Sequence, residues 1–218
     1  MRRWRWLVLS FVTLLVVLFV GLSFISGGPR NVYGLVHYAL PNWHRGGSGV
    51  GDFAPDSQLA SLDGQTTFHL QDRIGKRPLV LVFGSFTCPP FRRNTGDVGK
   101  LYDDYRDRAE FLQVYIREAH PQDEWQMAAN HRDNIVYAQP QTLTQRIAIA
   151  KDYIQRLHVS LPFAVDDMDN RANLLYGAWP ERIYIIDEAG RIVYRGGLGP
   201  FGYHPDEARA WLAARFGR

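Results

Sequence analysis

Apolar and polar positions follow three different rhythms along this chain. From Trp6 to Ile25 there are 20 positions without a charge (WLVLSFVTLLVVLFVGLSFI), and a helix of about 20 apolar residues spans the core of a bilayer. Residues 78–83 (PLVLVF) and 111–116 (FLQVYI) are short apolar runs with polar flanks, as in strands covered on both faces. Leu143, Ile147, Ala150, Ile154 and Leu157 recur at helical spacing. Residues 89–105 and 205–216 also predict helices, the latter amphipathic. Asp63-Gly64 predicts a hairpin over 59–70. Residues 162–165 read as a short buried strand. A last hairpin pairs 182–187 with 191–195 around Glu188-Ala189-Gly190. The predicted order is β-β-β-α-β-α-β-β-β-α.

The chain has one cysteine, Cys88, where the 78–83 strand gives way to the 89–105 helix. Pro89 suits the first helical position, so Cys88 is expected at the N-cap. There the helix dipole and free N–H groups favour a negative sulfur, in contrast to the small buried hydrophobe that a free cysteine usually is. A strand, a cysteine and a helix in this order predict an α/β, thioredoxin-like fold with an N-terminal β-hairpin. With no second cysteine, Cys88 closes no internal disulfide. The stretch 120–141 after the third strand is long for a βα connection, where about 2–6 residues are usual, and reads as an insertion placed to cover Cys88.

Charge adds topology. Arg2, Arg3 and Arg5 precede the apolar run, which predicts a single transmembrane helix with its N-terminus in the cytoplasm. Arg30 and Arg45 on the other flank weaken that preference. The competing reading, a cleaved signal peptide, has a shorter apolar core of about 7–15 residues and a small-residue cleavage site. The expected layout is an anchor over 1–28, a juxtamembrane linker over 29–50 with an amphipathic piece around 32–40, and a catalytic domain over 51–218. That domain would lie outside the cytoplasm, in the periplasm of a bacterium. A net charge of +3 without a basic block gives no support for nucleic-acid binding. His37, His44, His69, His158 and His204 lack metal-ligand spacing, so no metal is expected.

Four segments in order carry a family resemblance: 83–91 (FGSFTCPPF), 115–125 (YIREAHPQDEW), 176–186 (YGAWPERIYII) and 190–203 (GRIVYRGGLGPFGY). Over about residues 76–213 the chain resembles the iodothyronine deiodinases, which carry selenocysteine where this chain has Cys88. The resemblance implies a membrane-anchored oxidoreductase that removes iodine reductively from aromatic rings. It implies no bound cofactor, and an external thiol as cosubstrate. Cys88 matches the nucleophile. Glu118 and His120 match the Glu-Ala-His pair tied to proton delivery and substrate binding, and Glu181 and Arg182 match the Glu-Arg pair. Ser85 and Thr87 match the small hydroxyl positions. Three departures stand out. Sulfur replaces selenium. Pro140 stands where some members have a histidine, with His131 as a candidate substitute. The predicted topology also puts the domain outside.

The chemistry needs a soft nucleophile, an acid and a flat apolar slot. Cys88 is the expected nucleophile, His120 the acid, and Glu118 or Glu181 the group that orients it or carries protons. Ser85, Phe86, Thr87, Trp125 and Arg182 are the expected substrate-binding residues. Partners are an aromatic small molecule, a thiol or thioredoxin-like reductant, the membrane, and a second copy of the chain among the candidate assemblies. A one-cysteine thiol peroxidase is the alternative, although Leu81 and Ser85 stand where peroxiredoxins carry Pro and Thr. A Cys-x-x-Cys oxidoreductase is excluded by Phe91. A tethered sensor module would instead show a buried, slowly alkylated Cys88.

Overall fold

The computed structural model describes residues 2–26, 28–43 and 46–217. Met1, Gly27, His44, Arg45 and Arg218 lie outside the described residues, and with them the expectations placed on His44 and Arg45. The chain divides into two compact units, Met1–His44 and Arg45–Arg218.

In the first unit, α1 runs Arg2–Ser26. Its segment Arg3–Ile25, 23 residues, is long and apolar enough to cross a membrane. The expected linker is largely helical: α2 (Pro29–Gly34), a π-helical turn (Leu35–Ala39) and α3 (Leu40–Trp43) follow one another. Pro29 at the helix start and the scarcity of charge permit this, since Pro lacks only an N–H that the first turn leaves unpaired.

The second unit holds one seven-stranded sheet, ordered β2-β1-β5-β4-β3-β6-β7. Its strands are β1 (Gln58–Ala60), β2 (Thr67–His69), β3 (Leu79–Gly84), β4 (Glu110–Tyr115), β5 (Phe163–Asp166), β6 (Arg182–Ile186) and β7 (Ile192–Arg195). β3, β4 and β5 are parallel, while β6 is antiparallel to β3 and β1 to β5. Every residue of β3 is buried, which accounts for its unbroken apolar sequence. The first hairpin turns where Asp63 accepts the backbone N–H groups of Gln65 (2.7 Å) and Thr66 (3.0 Å). Ser48, ahead of the expected boundary at 51, already bonds to the body of the unit through Leu175, as Gly51 and Ala54 do through Ile192 and Gly190.

Five helices surround the sheet: α4 (Pro89–Tyr105), α5 (Ala128–Arg132), α6 (Leu143–Leu157), α7 (Arg171–Tyr176) and α8 (Pro205–Phe216). On one face Phe91 of α4 and Tyr115 of β4 gather around Tyr153 of α6, and α8 lies against α4 and β6. On the other, Phe83 and Tyr184 pack with Tyr176 of α7. The arrangement is thioredoxin-like, as expected. The short helices α5 and α7 are additions to the predicted order. α7 is too short to show a period, and a buried tertiary group starts it: the Asp166 carboxylate accepts from Ala172 N (3.0 Å) and Asn173 N (2.9 Å).

Candidate active site

Cys88 is the N-cap of α4, with Pro89 and Pro90 in the first turn. β3 delivers it there. Gly84 ends the strand because a Cβ at that position would meet the Phe91 ring at 2.3 Å, so the helix start and the strand end approach closely. The expected thiolate is not what this environment favours. Cys88 is 1% exposed, and its Sγ donates to Glu181 Oε2 at 2.6 Å. Burial first, and then the Glu181 charge, push the thiol pKa well above its usual value, and they outweigh the Phe91 N–H and Arg92, which act the other way. Helix-end geometry alone does not set the sulfur's charge when a carboxylate faces it.

Glu181 reaches Cys88 from the start of β6, directly after the cis Trp179–Pro180 bond. Burial raises its pKa to about 7, against the lowering effects of Cys88 and Arg93. Its second oxygen, Oε1, is buried without a hydrogen-bond partner among the described residues. A Cβ at residue 199 would lie 1.7 Å from that oxygen, so only glycine lets the 197–202 loop close over the carboxylate.

Ser85, Thr87, Glu118 and His120 meet in a second, adjoining network. Glu118 Oε2 accepts from Thr87 N (2.9 Å) and Thr87 Oγ1 (2.6 Å), and Glu118 Oε1 accepts from the Tyr115 hydroxyl. Tyr115 Oη in turn accepts from Phe86 N (3.0 Å). Thr87 Oγ1 receives His120 N (3.0 Å), and Ser85 Oγ receives Ala119 N (3.0 Å). Burial raises the Glu118 pKa in spite of these donors.

His120 is expected as an acid that titrates near neutrality. Its imidazole instead has a pKa lowered to about 4, mainly by burial. It is therefore neutral at pH 7. Its Nδ1 lies 3.0 Å from Trp125 O, an acceptor, so the proton sits on Nδ1 and Nε2 keeps its lone pair. Trp125 stacks edge-on to it, with ring centroids 4.6 Å apart.

Two expected binding residues do not join this group. Phe86 is fully buried between Tyr137 (5.6 Å) and Tyr153 (5.5 Å) and is core, not slot. Arg182 projects to the opposite face of the sheet, toward Tyr176 and Tyr184. Neighbours on a strand point to opposite sides, so Glu181 and Arg182 cannot both serve Cys88. His131 is exposed and bonds to Gln126 (2.9 Å), outside both networks.

Sequence reasoning missed three residues that hold the site. Tyr115 was visible at a strand end three positions before Glu118, but its hydroxyl had no evident use. Asn130 of α5 is fully buried and donates to both Thr87 O (2.9 Å) and His120 O (3.1 Å), tying the insertion to the Cys88 turn. Gln139 brackets Glu118, accepting from its N–H (3.0 Å) and donating to its carbonyl (3.2 Å). No group of three or more His, Cys, Asp and Glu side chains among the described residues could hold a metal ion.

A thioredoxin-like fold with a single cysteine set against a carboxylate, where a disulfide pair would otherwise stand, defines the class. Solved structures share the fold. An uncharacterized conserved protein from Geobacillus kaustophilus superposes with a TM-score of 0.55 at 20% identity, over 76% of this chain and 81% of that one. The thioredoxin domain of a thiol-disulfide oxidoreductase from Bacteroides vulgatus gives 0.53 at 16% identity, over 78% and 99%. The family profile described as iodothyronine deiodinase matches residues 43–216, and the chain belongs to that family. It is 40% identical to the type I iodothyronine deiodinase of Xenopus laevis over 72% of this chain and 60% of that protein. With the thyroxine 5-deiodinase of Gallus gallus it shares 42% identity, over 75% and 62%. The chain thus matches about three fifths of the length of these curated relatives.

Proposed function

We propose that this chain is a membrane-anchored, thiol-dependent reductive dehalogenase acting on iodinated aromatic rings, with other halogenated aromatics as further candidates. The observation that carries this reading is the Cys88–Glu181 contact at the start of α4, in a chain of the deiodinase family.

Glu181 serves as the base that takes the thiol proton. The Cys88 thiolate then attacks the iodine, the carbon–iodine bond breaks, and Glu181 returns the proton to the ring carbon. The aromatic ring gains hydrogen and Cys88 becomes a sulfenyl iodide, so the sulfur is oxidised as the ring is reduced. One external thiol displaces iodide to give a mixed disulfide. A second thiol, or the second sulfur of a thioredoxin-like protein, releases Cys88. His120, neutral, offers Nε2 as an acceptor for a substrate hydroxyl. Glu118 keeps Thr87 and Tyr115 in place. The sulfur is 1% exposed, the burial expected of a tethered sensor module; membership of the deiodinase family favours the enzyme, whose turnover then includes an opening step. α1 anchors the chain with the catalytic unit outside the cytoplasm.

The test uses the full chain in detergent micelles with dithiothreitol, offered iodinated phenols and iodothyronines, with hydrogen peroxide in parallel. Iodide release that disappears in Cys88→Ser is the expected result. Peroxide consumption without iodide release overturns the proposal. A C-terminal reporter active only in the cytoplasm overturns the topology.

A further inference from the structure

Arg182 and Arg195 form a positively charged pair on the sheet face away from Cys88. Tyr184 of β6 is the register partner of Arg195 of β7, and Arg182 precedes Tyr184 by two residues, on the same face. Both guanidinium groups converge on one neutral oxygen: Arg182 Nη1 lies 3.4 Å and Arg195 Nε 3.3 Å from Tyr184 Oη. The remaining contacts are also neutral. Arg182 Nη1 reaches Tyr176 O (3.4 Å), Arg195 Nη2 donates to Gly46 O, and the Tyr184 hydroxyl proton goes to Tyr176 O.

Counter-charge is missing here. Among the described residues, neither arginine forms an ion pair. Arg182 is only 5% exposed, and its Nε is buried without an acceptor. Arg146, the other deeply buried arginine, also bonds to neutral oxygens, but it lies in the attractive field of Asp166 and Glu118. Beyond the cost of burial, Tyr184 favours the charged form of Arg182 and the neighbouring Arg195 repels it, with no carboxylate among these influences. A buried cation without an anion is costly, and a second cation on the same oxygen adds to that cost.

We propose that Arg182, Arg195 and Tyr184 form an anion site for a phosphate-type oxyanion. Two guanidinium forks carry two positive charges, which suits a doubly charged phosphate better than a single carboxylate. The phosphate is either free or carried by an anionic lipid, since Gly46 follows the end of α1 at Ser26 by 20 residues of chain. The site lies outside the catalytic networks, so it stands or falls independently of the dehalogenase reading.

Calorimetric titration of the full chain in neutral detergent with inorganic phosphate, against chloride at equal ionic strength, tests this. One phosphate per chain is expected. Phosphate at tenfold its Kd should raise Tm by about 3–6 °C. Arg195→Gln should weaken phosphate binding at least tenfold without lowering Tm in chloride, while Arg195→Lys, which keeps the charge, stays within tenfold of the parent. Comparing Arg195→Gln with the parent removes the general stabilising effect of phosphate salts. In nanodiscs, a phosphate response lost with phosphatidylglycerol but kept with phosphatidylcholine identifies the lipid headgroup as occupant. An equal response in both identifies the free anion. No response beyond chloride, or an unchanged response in Arg195→Gln, overturns the proposal.

Discussion

Replacing Glu181 with glutamine separates the function of the site from its cost to the fold. In the folded protein this carboxyl ionises at about 7, against 4.5 for an ordinary glutamate. The unfolded chain therefore releases the proton first as pH rises, and the folded state loses stability between pH 4.5 and about 7. At about 1.4 kcal/mol per pH unit, the loss above neutrality comes to about 3 kcal/mol. Glutamine carries no such charge. Its amide brings a different burden, a buried NH2 where Oε1 now has no partner, worth about 1–3 kcal/mol, but that burden does not change with pH. Thermal unfolding of Glu181→Gln and the parent at pH 4.5 and 8.5 isolates the carboxylate. The Tm difference should move in the variant's favour by about 6–12 °C between the two conditions. Dehalogenation should fall by about 10²–10⁴-fold with the base removed. A Tm difference that is the same at both pH values would refute the assignment of Glu181 as a carboxylate destabilised by burial.

Three further outcomes follow from the geometry. His120 has a folded pKa of about 4 against 6.5 unfolded, so stability present above pH 6.5 should be lost by about 3 kcal/mol as pH falls to 4; urea midpoints should show this in the parent and a flatter profile in His120→Gln. Tyr115→Phe leaves the Phe86 N–H without its acceptor and takes a donor from Glu118, which should cost about 1–3 kcal/mol in denaturant titrations; an unchanged midpoint argues against the network. Gly199→Ala places a methyl on Glu181 Oε1 and should cost about 1–3 kcal/mol along with most of the iodide release, and full activity in this variant would show that the loop yields.

The elements legible in the sequence were those whose own pattern suffices. β3 is a continuous apolar run, β4 an apolar run interrupted at Gln113, α6 carries its period, and Asp63-Gly64 marks its turn. α7 escaped because its start depends on Asp166, a carboxylate from another element. The Cys88–Glu181 contact joins residues 93 positions apart; no local pattern shows it, and it was legible only through the expected thioredoxin-like topology, in which counting back from Asp187 places Glu181 beside the cysteine. Burial is what reversed the expectations for charge: a sulfur at a helix start and a histidine at a strand end look ionisable until their surroundings are known. The displacement of Arg182 was open to deduction, because strand alternation forbids adjacent residues from sharing a face. Asn130 gave no such signal, as its two acceptors are backbone carbonyls.

The single cysteine also makes the chain its own counter. Every thiol in a preparation is Cys88, so alkylation under denaturing conditions gives the number of chains. Alkylation of the native protein proceeds only through states that uncover Cys88. When reclosing is faster than the reagent, the ratio of the native rate to that of an unprotected thiol is the equilibrium constant for opening. A saturating substrate analogue that enters by the same route should slow that labelling, which turns one sulfur into a gauge of how often the site admits its ligand.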